Sequence, residues 1–221
     1  MTDMEKDRNL KYTVITGNTV TVCGRVLEHE HTGSVMLTEI YRTHAGDWPK
    51  FFKMDTLSKV GYLASELLLK ELGGCRLEAE EYTSARAIVL FGTTASLCAD
   101  RNYQETIQDS DNYYPSPALF VYTLPNIVTG EIAIRNHYRG ETSFYVLDGF
   151  DAGSMAFHLQ RAFCDEQTES VLAGWVDSTG NDDFSCFFTL LYREDVQDLE
   201  RLETELKGIM DNLNDIELWK R

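Results

Sequence analysis

Two short runs of nearly continuous apolar residues constrain this chain more than any other feature. Ala85 to Thr94 reads ARAIVLFGTT and Ser170 to Val176 reads SVLAGWV. A strand with one wet face alternates apolar and polar residues. A continuous run belongs to a strand covered on both faces, the profile of a parallel strand inside an α/β layer. Ser185 to Tyr192 (SCFFTLLY) reads as a further strand, and Tyr12 to Val26, β-branched and punctuated by Gly17 and Gly24, as one or two more. Between them the period becomes helical. Leu57, Val60, Leu63, Leu67 and Leu68 share a face, small residues at Gly61, Ala64 and Ser65 permit close packing, and Gly73-Gly74 ends the helix.

The remaining segments are less regular. Glu28 to Gly46 reads as loop, Asp100 to Asn112 is polar, and Tyr113 to Ala118 (YYPSPA) reads as loop. Leu119 to Arg135 starts extended and turns helical after Pro125, and His137 to Glu141 is a polar turn. Strands alternating with helices predict a layered α/β fold with a mostly parallel or mixed sheet, in one domain over residues 1–192. The tail, residues 193–221, differs. Leu199, Leu202, Leu206, Ile209, Leu213 and Ile216 step by threes and fours along an amphipathic helix. That seam packs either on its own domain or on a second chain, and the spacing leaves both open.

Composition excludes several functions. The 221 residues carry a formal charge of −16, which argues against nucleic acid, because phosphate binding needs clustered Lys and Arg. It argues more weakly against docking an acidic carrier. The five cysteines are scattered and form no CxxC, as expected of free thiols in a reducing cytoplasm. No apolar run approaches the roughly 18 residues of a membrane span, and the N-terminus lacks an apolar signal core. No GxGxxG, P-loop, HExxH or GxSxG is present, so no cofactor and no metal is expected.

One stretch has the form of a catalytic corner. In FYVLDGFDAGSMAF (Phe144 to Phe157) a β-prone run meets small turn residues, and a helical pattern opens at Met155. Such corners expose a nucleophile beside free helix N–H groups. Here the tip holds Gly149, Phe150 and Asp151, and residues 145–153 contain neither Cys nor Ser. Asp148 and Asp151 flank Phe150. Paired carboxylates can do acid/base work, but at a helix start a cap is the simpler role. His158, farther along the helix, and His137 are isolated histidines.

Several segments in order resemble the N-terminal half of β-ketoacyl-acyl-carrier-protein synthases. They are Leu124-Pro125-Asn126 with Gly130 and Ile132-Ala133-Ile134, then Gly140, Gly153, and Val171-Leu172-Ala173-Gly174 with Asp177. Upstream, VITGNTVTVCG, FKMDTLSKVGYLASELLLKEL and AIVLFGTTASL resemble the family's opening strand, helix and second strand. The resemblance runs from about Tyr12 to Tyr192. It implies a thiolase-like layered αβα half-fold over residues 1–192, followed by the amphipathic helix.

It also implies a site without its chemistry. With Gly153 set on the glycine after the family's nucleophile, the cysteine position falls on Phe150. The two catalytic histidines of the family come from a second half that has no counterpart here. Condensation needs a thiolate to hold the acyl chain and imidazoles to stabilise developing charge. The expectation is therefore a catalytically silent subunit of fatty-acid, polyketide or aryl-polyene-type biosynthesis. Its degenerate site would comprise Asp148, Gly149, Phe150, Asp151, Gly153 and His158.

The family's dimer mode would put Phe144, Tyr145, Val146 and Leu147, with Pro125 and Asn126, at a subunit interface. The partner would be a second copy or a full-length ketosynthase, with an acyl carrier protein as a further candidate. Two alternatives stay open: a half-enzyme completed by another chain, with Asp148, Asp151 and His158 as candidates, and a scaffold binding an acyl ligand.

Overall fold

The two apolar runs become β4 (Arg86–Gly92) and β6 (Ser170–Ser178), which lie side by side in parallel. The computed structural model describes residues 9–73, 82–111 and 113–218, so Gly74 and Cys75 lie outside the described residues. β5 (Thr142–Val146) runs parallel to β4 on its other side. β7 (Phe184–Tyr192) returns antiparallel to β6, and β1 (Tyr12–Thr16) pairs antiparallel with β7. β2 (Thr19–Val22) and β3 (Arg25–Val26) continue as an antiparallel meander. The result is a mixed seven-stranded sheet of order β3-β2-β1-β7-β6-β4-β5.

Strand side chains alternate between faces, and each face has its own helical layer. Ile88, Leu90, Leu172 and Phe188 face α1 (Gly33–Ile40), α2 (Thr56–Glu71) and α5 (Ile127–Asn136). Val89, Phe91, Val171, Ala173 and Phe187 face α6 (Ala152–Ala162) and α7 (Leu199–Leu218). α2 starts at Asp55, whose carboxylate accepts the Ser58 N–H at 3.0 Å, and ends just before Gly73, at φ +90°. A Cβ on Gly61 would stand 2.5 Å from the Val128 side chain, so glycine is what lets α2 and α5 cross this closely.

The tail helix packs on its own sheet. Leu202, Leu206, Ile209 and Leu213 are buried against α6, β1 and β7 together with Met210. The side chain of Ile216 lies outside the described residues. Each buried leucine there contributes about 1.5–3 kcal/mol.

Two segments depart from the sequence reading, and a third, read only as polar, takes a definite form. Glu28 to Gly46 holds α1 and a π-helical turn (Tyr41–Ala45) rather than loop. Its start is invisible locally because Thr32 gives no side-chain cap. Asp182 supplies one from the β6–β7 loop, accepting Ser34 N–H and Oγ–H at 2.8 and 2.9 Å. Polar residues around Asp100 form α3 (Leu97–Glu105). Leu119 lies in a short helix, α4 (Pro117–Val121), rather than an extended run, with Pro at its first position and Ser116 accepting the Leu119 N–H.

Candidate functional site: the corner between β5 and α6

The parallel ladder ends where the Leu147 N–H donates to the Gly92 carbonyl at 3.0 Å, and the chain then turns through Asp148 and Gly149, both exposed. Asp151 caps α6. Its carboxylate accepts the Gly153 and Ser154 N–H groups at 3.0 and 3.2 Å and the Ser154 hydroxyl at 2.8 Å. The Ser154 hydroxyl and N–H hold the Asp151 carboxyl below its ordinary range. A carboxylate held ionised by its own helix is a cap and a poor proton donor. A Cβ on Gly153 would stand 3.4 Å from that carboxylate and 3.5 Å from Glu203 on α7, so the position has room for a small side chain.

Phe150 points inward from the tip. Its ring meets Trp175 edge-on at 5.6 Å and Phe187 at 6.4 Å, and it packs on the core beneath α7. Such aromatic pairs add about 0.5–1.5 kcal/mol beyond burial. An open cleft of about 560 Å³ lies between this corner and α7, lined by Phe150, Asp151, Trp175, Asp177, Lys207 and Met210 among others.

Asp177 is the organiser of the neighbouring loop. Its carboxylate accepts the Thr93 and Thr94 N–H groups, each at 2.7 Å, and both threonine hydroxyls at 2.8 and 2.9 Å. The Trp175 indole N–H donates to it at 2.8 Å. One side chain thereby fixes the loop after β4 to the end of β6, beside Phe150. Sequence reading singled out Asp177 only as part of a strand motif. Lys207 and Met210 were missed because α7 reaches the cleft from the far end of the chain.

The other expected residues fall elsewhere. His158 does not line the cleft. It stacks on Tyr145 at 4.1 Å, with Phe91 at 6.4 Å, and its buried Nδ1 has no hydrogen-bond partner among the described residues. His137 is the left-handed C-cap of α5, stacked on Tyr82. Phe144, Tyr145, Val146 and Leu147 lie on or just past β5, the last strand of the sheet, and Val146 is 56% exposed. Asn126 precedes α5 and accepts the Gly130 N–H and the Thr129 hydroxyl through its carbonyl. Beside Pro125 and Asn126, Phe120 and Leu124 are exposed apolar residues.

Among the described residues no group of three or more His, Cys, Asp or Glu could hold a metal ion. Cys23, Cys98, Cys164 and Cys186 are free thiols, and burial pushes the Cys186 thiol up. No helix among the described residues is long and apolar enough to cross a membrane.

No family model matches the sequence, and no curated protein matches it. Solved structures do. The ishigamide ketosynthase/chain length factor aligns with a TM-score of 0.58 at 14% identity, over 83% of this chain and 61% of that one. The fold is thiolase-like. A ketosynthase in complex with its chain length factor from Xenorhabdus doucetiae aligns with a TM-score of 0.49 at 13% identity, over 84% of this chain and 80% of that one. The chain thus spans about three fifths of the first of these relatives.

Proposed function

We propose that this chain is a catalytically silent, chain-length-factor-like subunit of a polyketide or aryl-polyene-type synthase. The observation that carries the reading is Phe150. The side chain at the nucleophile corner is an aromatic ring anchored on Trp175 and Phe187, with neither Cys nor Ser in residues 145–153. The alignment with a ketosynthase/chain length factor supports it.

The partner in this reading is an active ketosynthase, engaged through β5. That strand ends the sheet, carries no charged residue, and leaves Val146 exposed, with Phe157 of α6 50% exposed. An edge with free N–H and C=O groups and apolar side chains is a template for pairing with another strand. Phe150 then bounds the acyl path rather than attacking it. Both sheet faces are already covered, by α1, α2 and α5 on one side and α6 and α7 on the other. That coverage weighs against a half-enzyme waiting for a complementary half.

Co-expression with candidate ketosynthases tests the pairing. A stable complex that dissociates when Val146 is replaced by Lys supports it. A monomer that captures no ketosynthase removes it. Condensation activity in the isolated chain that is lost on Asp148→Asn or Asp151→Asn overturns the silent assignment.

A further inference from the structure

A second site lies on the opposite face of the sheet, away from the corner. α2, α5 and the π-helical turn after α1 enclose a cavity of about 240 Å³, lined by His44, Asp47, Glu66, Lys70, Arg135 and Asn136 in part. A π-helical turn is uncommon and is found often at functional sites. Gly46, at φ +27°, ends this one and delivers Asp47 to the cavity.

Arg135 is the base of the site, its side chain only 2% exposed. Its Nε and Nη2 donate to one Glu66 oxygen at 3.1 and 3.0 Å, and Nη2 donates also to Asp47. The guanidinium carbon lies 5.3 Å from the centre of the Trp48 ring, whose buried indole N–H has no hydrogen-bond partner among the described residues. Lys70 stands at the rim, its ammonium donating to the His44 carbonyl at 2.9 Å.

The two carboxylates are not equivalent. A buried guanidinium needs one carboxylate to balance its charge, and the Glu66 side chain, 13% exposed, provides it. Asp47, with its side chain 54% exposed, adds a second negative charge at the mouth of the cavity. Arg135 with Lys70 then matches Glu66 and one further anion, and Asp47 occupies that anion's position from just after Gly46.

We propose that this cavity is a binding site for a small organic carboxylate of about the size of malonate, with Asp47 as its built-in competitor. The ligand carboxylate takes the place of Asp47 on Arg135, in the planar geometry that a guanidinium favours. Lys70 holds its outer end. The volume of about 240 Å³ suits a small ligand, falling below the roughly 300 Å³ and more of pockets for drug-sized ones. The site is independent of the subunit role proposed above, because it shares no residue with the corner or with β5.

The test is a titration of the full chain with sodium malonate, following the indole N–H resonances of its three tryptophans, with Trp48 assigned by Trp48→Phe. A saturable shift of the Trp48 signal is expected up to about 50 mM, where a millimolar complex fills. Sodium chloride at matched ionic strength should not reproduce it. Asp47→Asn should tighten binding by about two- to fivefold, the loss of one competing half-exposed charge pair, and Lys70→Gln should weaken it by a smaller factor. Both substituted residues are at least partly exposed, so the variants retain the fold. The proposal is overturned if wild type and Asp47→Asn both show no saturable shift. Identical affinities in all three proteins, or phosphate binding as tightly as malonate, overturn it too.

Discussion

The two faces of the sheet are closed by different means. One layer, α1, α2 and α5, contains charge: Arg135 with Glu66 and Asp47, and Glu131 paired with Lys50 at 2.8 Å. The other, α6 and α7, is sealed mainly by aliphatic and aromatic side chains and holds no buried ion pair among the described residues, its buried polar groups being neutral, such as Thr189 and the His158 ring. The first layer is built from segments that neighbour the central strands in sequence. The second depends on a helix from the end of the chain. Polar contacts demand matched partners and so specify one arrangement, whereas an apolar seam tolerates small adjustments. The charged face is therefore the one that a single substitution damages most.

Arg135 gives the largest expected effect. Arg135→Met leaves the Glu66 carboxylate largely buried without its cation and should cost about 3–5 kcal/mol in urea unfolding. Replacing Glu66 with Leu at the same time should recover most of that loss. A double variant as unstable as the single one would show that the guanidinium does more than balance a charge.

On the apolar face Leu206→Ala should cost about 2–4 kcal/mol, because Leu206 is fully buried between α7 and the sheet. It should do so with no pH dependence of its own. A loss below about 1 kcal/mol would mean that α7 covers the sheet only loosely. Phe150→Ala comes next. The ring is half-buried, so the expected loss is about 1–2 kcal/mol, below that of a fully buried Phe. In the proposed complex the same change should lengthen or broaden the acyl products, read by mass spectrometry, while pairing persists. Unchanged products would remove Phe150 as a boundary.

How much of this was legible in the sequence follows the same division. β4, β6 and β7 were readable because continuous apolar runs permit little else, and α2 because its stripe and its terminal glycine agree. The seam of α7 was readable as a seam, but which surface it meets is a tertiary fact that a period of three and four cannot carry. α1 was hidden because its cap comes from Asp182, 148 residues away from Ser34. α3 and α4 were hidden because their exposed positions carry no apolar period. At the site, the corner and the Asp151 cap follow from local chemistry. The cleft does not, because Phe150, Trp175 and Lys207 come from three separate stretches. His158 stood near the corner in sequence and packs on Tyr145 instead, since a residue two turns into a helix has left its N-terminus behind.

The smallest expected effect separates the two faces by their helix starts. Asp151 caps α6 from the adjacent residue, whereas Asp182 caps α1 across the fold. Gly17 leaves room for this approach, since a Cβ there would stand 2.6 Å from the Asp182 carbonyl oxygen. The Ser34 N–H and hydroxyl hold the Asp182 carboxyl below its ordinary value of 3.8. A carboxyl lowered by folding stabilises the native state above its unfolded value and loses that contribution as pH falls through the folded one. Melting temperature measured against pH should therefore fall below 3.8 more steeply in the wild type than in Asp182→Asn, which has no proton to gain there. The same experiment on Asp151→Asn should give the same sign, because its carboxyl is lowered too. What distinguishes them is reach: loss of the Asp182 cap should raise amide exchange in α1 and in the Thr179–Asp183 loop together, while loss of the Asp151 cap should be confined to the first turn of α6. Exchange confined to one side of the Asp182 contact would show that α1 stands without it.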